Sequence, residues 1–480
     1  MSALLPEPDS AALAPGLEDA EAFARPETQS RTQSSTLAAP QKIRTAHLPR
    51  DRMFLLFMVM LVTAAGNTAM QSVMPSIGTA LKVHDVWISL AYTWSALLWM
   101  ICAPIWARQS DKRGRKAMMA LGLVGFISSF ALCGVIIWLG LNHWLAAIPT
   151  LLLFALARSL YGGFGSAAPP AVQAYVASRT PRAKRTQSLS VISSSFGLGT
   201  AIGPALAPLL ILPVIGLASP FLIFAAFGVL VLIALRLRLP NDDPAFAARG
   251  DVLTAPFSAN SNAAQQRTHS DEDDVLAADA PRLAWTDRRL RPWLVAGLLG
   301  GHAQAALQGI IGFLILDRLG LRGNPMGGAG PTSTVLMSGA IATLLAQWGL
   351  IPMLHLGPRG SSLWGMALAV GGVALVALGS DLHSITLGYA LASLGFGLFR
   401  PGYTAGSSLA VTRAEQGQAA GIIASTNGAA YIFAPAAGVL LYNQSWWLGF
   451  AVIIALCIAV VVLGLTGMGR DEDMSEDTGA

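Results

Sequence analysis

The chain has 480 residues, of which 54% are hydrophobic and only 12% charged, with a mean hydropathy of +0.56. Average soluble domains carry roughly 25% charged residues, so this composition excludes an ordinary soluble protein and indicates a polytopic membrane protein. The net charge of +5 is dispersed over short segments beside apolar runs, which argues against a nucleic-acid partner. Three cysteines, Cys102, Cys133 and Cys457, each inside an apolar run, suggest neither a disulfide framework nor a metal site, and no cofactor is expected.

Residues 1–50 are rich in Ala, Pro, Ser and Gln, lack an apolar signal-like core, and read as a disordered cytoplasmic tail. Twelve apolar spans follow, at about 53–76, 86–106, 117–139, 146–172, 188–213, 219–239, 293–316, 331–354, 362–380, 384–409, 418–442 and 446–468. Basic residues fall mostly on one side: Arg50 and Arg52 before the first span, Arg108 to Lys116 after the second, Arg179 to Arg185 after the fourth, and Arg236 and Arg238 after the sixth. The positive-inside rule makes that side, and both termini, cytoplasmic. Arg318 and Arg322, beside Asp317, fall on the opposite side and fit this pattern least well.

Residues 240–290 are polar, with an Asp271-Glu272-Asp273-Asp274 run, and predict a cytoplasmic linker. The linker divides the chain into a six-helix bundle over 51–239, a second over 291–468 and a short acidic tail over 469–480. An internal repeat supports the division. Gly163-Phe164-Gly165 and Pro169 recur as Gly395-Phe396-Gly397 and Pro401 at an offset of 232, and Gly197 and Pro204 recur as Gly428 and Pro435 at 231. Two similarly oriented six-helix halves suggest a transporter whose site lies between them near the bilayer midplane.

Several polar residues inside the spans are candidates for that site. Asn67 and Gln71 lie four apart on one helical face, as do Gln304 and Gln308 at a comparable depth of the second half. They are read as donors and acceptors lining a pathway, or as interhelical hydrogen bonds worth about 0.6 kcal/mol each. Arg158 is near the middle of its span, where an unpaired cation costs at least roughly 2.5 kcal/mol, and Arg400 occupies the matching span near the same expected depth. Both should face a polar cavity or partner rather than lipid and are assigned to the transport pathway, with snorkelling or bonding to broken-helix carbonyls beside Pro169 or Pro401 as the alternative. Two cavity-facing cations would favour an anionic or polar substrate, or serve a proton relay. His302 is the only histidine deep in a span and is a candidate for proton coupling, although it turns about 200° away from Gln304. No span has an Asp or Glu near its middle.

Between spans two and three, Asp111-Lys112-Arg113-Gly114-Arg115-Lys116 forms a dense basic turn. Asp111 can accept bonds from arginines and face a helix N-terminus, whereas the basic residues also serve topology and anionic lipid. In the fifth span, Gly199 and Gly203 at four-residue spacing permit close helix contact, and Pro204 removes a backbone bond.

With these residues in view, residues 50–470 resemble the major facilitator superfamily, in particular its twelve-helix drug:proton antiporter-like exporters. The loop motif Gly-x-x-x-Asp-Arg-x-Gly-Arg-Lys is matched from Asp111 to Lys116, with Ala107 in place of the leading glycine. Its second-half counterpart, His355 to Gly360, is degenerate. Arg158 and Gly162 fit an Arg-x-x-x-Gly pattern, and Gly199 to Pro208 is similar to the exporter motif Gly-x-x-x-Gly-Pro-x-x-Gly-Gly, with Ala207 and Pro208 at its end.

The resemblance implies an all-α membrane protein of two pseudo-symmetric six-helix bundles. It implies a gating role for Asp111, Lys112, Gly114, Arg115 and Lys116. It also implies export of a small amphipathic compound from the plasma (inner) membrane by alternating access, with protons as partner and His302 or Asp111 as carrier. Uptake of a polar or anionic nutrient is the alternative direction. A membrane enzyme or sensor would need clustered catalytic groups or a signalling domain, neither of which is evident. No GxxxxGK[ST] loop is present, so ATP is not the expected energy source.

Overall fold

The computed structural model describes residues 48–180, 182–241, 283–412, 415–469 and 471. The N-terminal tail, most of the predicted linker and almost all of the acidic C-terminal tail therefore lie outside the described residues. Within them the chain is helical, with a single isolated bridge between Leu212 and Gly216.

The first bundle contains α1 (Arg50–Ala80), α2 (Asp85–Arg113), α3 (Arg115–Leu141), α4 (Ala147–Gly163), α5 (Ala168–Arg179), α6 (Arg182–Leu206) and α7 (Ser219–Arg238). The second contains α8 (Arg291–Arg318), α9 (Pro325–Leu345), α10 (Ile351–Leu354), α11 (Pro358–Leu378), α12 (Leu382–Leu409), α13 (Gln416–Gln444) and α14 (Trp446–Thr466). Because α4 with α5, and α9 with α10, each make one crossing, fourteen helices give twelve spans. Eleven are long and apolar enough to cross a membrane, and α6 supplies a shorter apolar stretch, Val191–Leu206. At 1.5 Å per residue the 31 residues of α1 reach about 46 Å, longer than the hydrocarbon core, so its ends project past it.

Interruptions fall where the sequence removes backbone donors or side chains. Pro169 and Pro170 cannot continue the ladder of α4, and a 3₁₀ turn at Gly165–Ala167 joins α4 to α5. The carbonyl of Gly163 is satisfied instead by the Trp106 indole at 2.5 Å and the Ser166 hydroxyl at 2.9 Å. A π-turn at Ala346–Leu350 joins α9 to α10. At the basic turn, α2 and α3 meet at one residue, Gly114, whose φ of 89° is in the region that glycine enters without steric cost.

Two basic residues then close the bundles at the face carrying the linker. Lys116 donates from Nζ to the carbonyls of Arg236 (3.1 Å) and Leu239 and to Asn241 Oδ1 (3.1 Å). In the second bundle Arg359 donates to the carbonyls of Gly464 (2.9 Å) and Leu465 (3.1 Å). Each places a cation on the orphan carbonyls at the C-terminal end of its bundle's last helix, α7 or α14. Arg318, at the opposite, far face, similarly donates to the Ala377 carbonyl at 3.0 Å and lies over the Trp446 ring.

Candidate functional site

The two bundles enclose a cavity of about 1060 Å³, including its open mouth, built from α1, α6, α8, α9, α12 and α13. Asn67, Thr68 and Gln71 enter from α1, and Gln304 and Gln308 enter from α8. The spacing of four residues sets both amide pairs on the inward stripe of their helices. From α12 come Phe396 and Arg400, from α13 Tyr431, and from the π-turn Gln347. A second chamber of about 680 Å³, open space at its edge included, adjoins it toward the far face, walled by Pro75, Ile88 and Tyr92 against Gly312, Phe313 and Pro435. Gln71, Gln308, Leu336 and Tyr431 line both chambers and so form the neck between them.

Beyond the second chamber the bundles are locked together. At the chamber's own wall a Cβ on Gly312 would stand 2.4 Å from the Pro75 ring, so the backbone of α8 packs directly on that side chain of α1. Past that contact Arg322 donates to both oxygens of Asp85 at 2.8 Å, to Asp317 at 2.7 and 3.2 Å, and to the Thr79 hydroxyl at 3.4 Å. Tyr442 donates its hydroxyl to Asp317 at 2.8 Å. Hydrogen bonding to Asp85, the largest cause, and to Asp317 raises the Arg322 pKa further above its ordinary value, so this cation stays charged at any working pH. The pairing of Arg322 with Asp85 has no sequence signal, because two residues 237 apart meet only when the bundles do.

Arg158 meets a polar partner rather than the cavity itself. It is buried behind the cavity wall, with Nη2 donating to Asn67 Oδ1 at 3.0 Å and its guanidinium 4.6 Å from the Tyr161 ring centroid and 5.8 Å from that of Phe130. Among the described residues its Nε and Nη1 have no hydrogen-bond partner. Asn67 lines the cavity and thus stands between Arg158 and the space. Nor do the two intramembrane arginines share a depth. Arg158 is the twelfth residue of α4 and Arg400 the nineteenth of α12, which puts Arg400 about 10 Å nearer the linker face.

His302 lies on α8 outside the cavity lining, and its Nδ1 donates to the Leu298 carbonyl one turn earlier at 2.7 Å. Gly199 and Gly203 bring α6 against α1: a Cβ on Gly203 would meet Thr68 Oγ1 at 2.2 Å and the Ala65 carbonyl oxygen at 2.3 Å. Pro204 lines the cavity beside this contact. In the basic turn Arg115 is buried, Gly114 makes the turn and Lys116 caps α7, while the side chains of Asp111 and Lys112 lie outside the described part of the structure.

A further cluster at the linker face joins the starts of α8 and α13. Arg289 donates to Glu415 at 2.9 and 3.1 Å and to Asp287 at 3.0 and 3.2 Å, and Glu415 also accepts from the Thr412 hydroxyl and amide. Hydrogen bonds from Arg289, the largest cause for each, hold the carboxyls of Glu415 and Asp287 below the usual carboxylate range.

A family model described as Major Facilitator Superfamily matches residues 56–397. The chain is 30% identical over 190 residues to a probable actinorhodin transporter of Streptomyces coelicolor, covering 39% of this chain and 30% of that protein. It is also 30% identical over 172 residues to a multidrug resistance efflux pump PmrA homolog of Lactococcus lactis, covering 36% and 38%. The chain thus spans about a third of the length of the curated relatives it matches. Its fold is that of a bacterial homolog of the human lysosomal transporter Spinster, with a TM-score of 0.62 at 12% identity over 88% of this chain and 96% of that one.

Proposed function

Because the chain belongs to the Major Facilitator Superfamily, we propose that it is a secondary transporter that exports small amphipathic compounds across the plasma membrane by alternating access. The observation that carries this reading is the two-chambered cavity lined by both bundles and closed at one face by the Arg322–Asp85 pair. A compound bound at Gln71 and Gln308 meets side chains of both halves, so rocking one half against the other changes the face to which the neck opens. The positive-inside pattern supports a cytoplasmic linker face, which makes the locked face the external one. Relatives that bear the names of efflux pumps, and the likeness of Gly199 to Pro208 to an exporter motif, support the outward direction.

Proton exchange is the proposed drive. His302 and Asp111 are the titratable groups proposed to carry it, with Asp111 also holding the linker-face gate in the opposite state. The test is accumulation of radiolabelled amphipathic compounds in everted vesicles with and without an imposed proton gradient. Gradient-dependent accumulation is expected, with Asp111→Asn slowing it while insertion stays normal. Accumulation in right-side-out vesicles only would establish uptake instead, and an absent gradient effect would remove proton exchange.

A further inference from the structure

We infer that the transported compound carries one anionic group, held by Arg400 at the linker-face end of the cavity beside Gln347; this rests on the cavity being the transport site. Arg400 is half-buried, lines the cavity, and has a buried Nε without a hydrogen-bond partner among the described residues. No described carboxylate lines the cavity. A guanidinium drawn into a site of low dielectric without a counter-charge is costly, and an anion supplied by the ligand removes that cost. Its planar fork also matches a carboxylate in two hydrogen bonds.

The backbone explains why the charge stands where it does. Gly397 lets α12 approach α9 so closely that a Cβ there would lie 2.9 Å from Ala346 Cβ and 3.1 Å from Thr343 Cα. One turn farther on, Arg400 is level with the π-turn that carries Gln347 into the same cavity. Interruptions of this kind inside a helix recur at functional sites because they re-aim a side chain. The other intramembrane cation makes no second anion subsite, since Arg158 is sequestered by Asn67, Tyr161 and Phe130. The remaining polar lining is neutral amides and hydroxyls, while Phe196, Leu307, Leu336 and Phe396 offer apolar surface. The arrangement fits an amphipathic monoanion and disfavours a cation.

The test uses the full chain in nanodiscs and two probes with one fluorophore, dansylglycine as the anion and N-dansylethylenediamine as the cation, titrated by fluorescence at neutral pH. Dansylglycine is expected to bind about tenfold more tightly, Arg400→Gln to abolish that preference, and Arg400→Lys to retain part of it. Gln347→Ala is expected to weaken only the anionic probe. Equal or reversed affinities in the wild type, or undetectable binding of dansylglycine, overturns the inference without needing any variant. Binding is read without a gradient, so a preserved preference beside failed vesicle transport rejects the transport reading alone, whereas gradient-driven transport of both probes without preference rejects the anion site alone.

Discussion

Arg322 and Asp85 form a two-point ion pair, Nη1 to Oδ1 and Nη2 to Oδ2 both at 2.8 Å, that ties the loop after α8 to the first turn of α2 across the two bundles. Asp85 is buried and Arg322 only half so, and the bonds are charge-assisted. Asp85→Asn is expected to weaken the far-face closure by about 1–2 kcal/mol, roughly a five- to thirtyfold shift in population. Spin labels at Lys82→Cys and Gly323→Cys, both exposed, should report a larger share of separated far-face loops. An unchanged distance distribution would show that the pair does not bias the closure.

Asn67 serves both the cavity and the buried cation behind it. Asn67→Ala is expected to destabilise the protein by about 1–3 kcal/mol, because the buried Arg158 loses the side-chain acceptor it has among the described residues. A thermal-unfolding cycle with Arg158→Met should give a coupling of at least about 0.5 kcal/mol between the two positions. Additive effects would mean that the 3.0 Å bond contributes nothing beyond packing.

At the α1–α6 contact the expected cost is steric. Gly203→Ala should lower stability by about 1–3 kcal/mol, since its new carbon meets a backbone carbonyl oxygen at 2.3 Å that cannot yield without parting the helices. Gly330→Ala is the control: it lies in α9 with nothing within 4 Å of the added carbon, and should be neutral or slightly stabilising. Equal unfolding temperatures for the two variants would contradict the close contact.

The Arg289–Glu415 pair predicts a pH dependence at the linker face. With Arg289 holding the Glu415 carboxyl below its ordinary value, the native state favours the ionised form, so the contribution is complete at neutral pH and is lost as pH falls through the lowered native value. Arg289 is partly exposed, which limits the contribution to about 0.5–1 kcal/mol. The stability gap between wild type and Glu415→Gln should be constant from pH 8 to about pH 5.5 and close below about pH 4.3. A gap that widens on acidification would reverse the assignment.

Local pattern made a large part of this protein legible. Apolar length gave the spans, although α6 proves shorter in its apolar part than its neighbours. Four-residue spacing put Asn67 with Gln71 and Gln304 with Gln308 onto inward faces, because a helix fixes which residues share a stripe. The motif from Asp111 to Lys116 was visible as a basic turn, and the left-handed backbone at Gly114 explains its glycine. Less visible was that Lys116 and Arg359 do one job in the two bundles. The second-half motif is degenerate in letters, yet a single cation on the end of the last helix satisfies the physical requirement.

What the sequence determined by itself was therefore what depends on neighbours along the chain: span, face, turn and the six-plus-six repeat. Tertiary structure alone decided which charges meet. Arg158 and Arg400 look alike as cations within apolar spans, but packing encloses one behind Asn67 and aromatic rings and leaves the other in the cavity. Arg322, which fits the charge pattern of its face poorly, becomes the residue that joins the bundles there. A cation in low dielectric takes its role from the groups within a few ångströms of it, and those groups come from segments that only the folded arrangement of helices brings together.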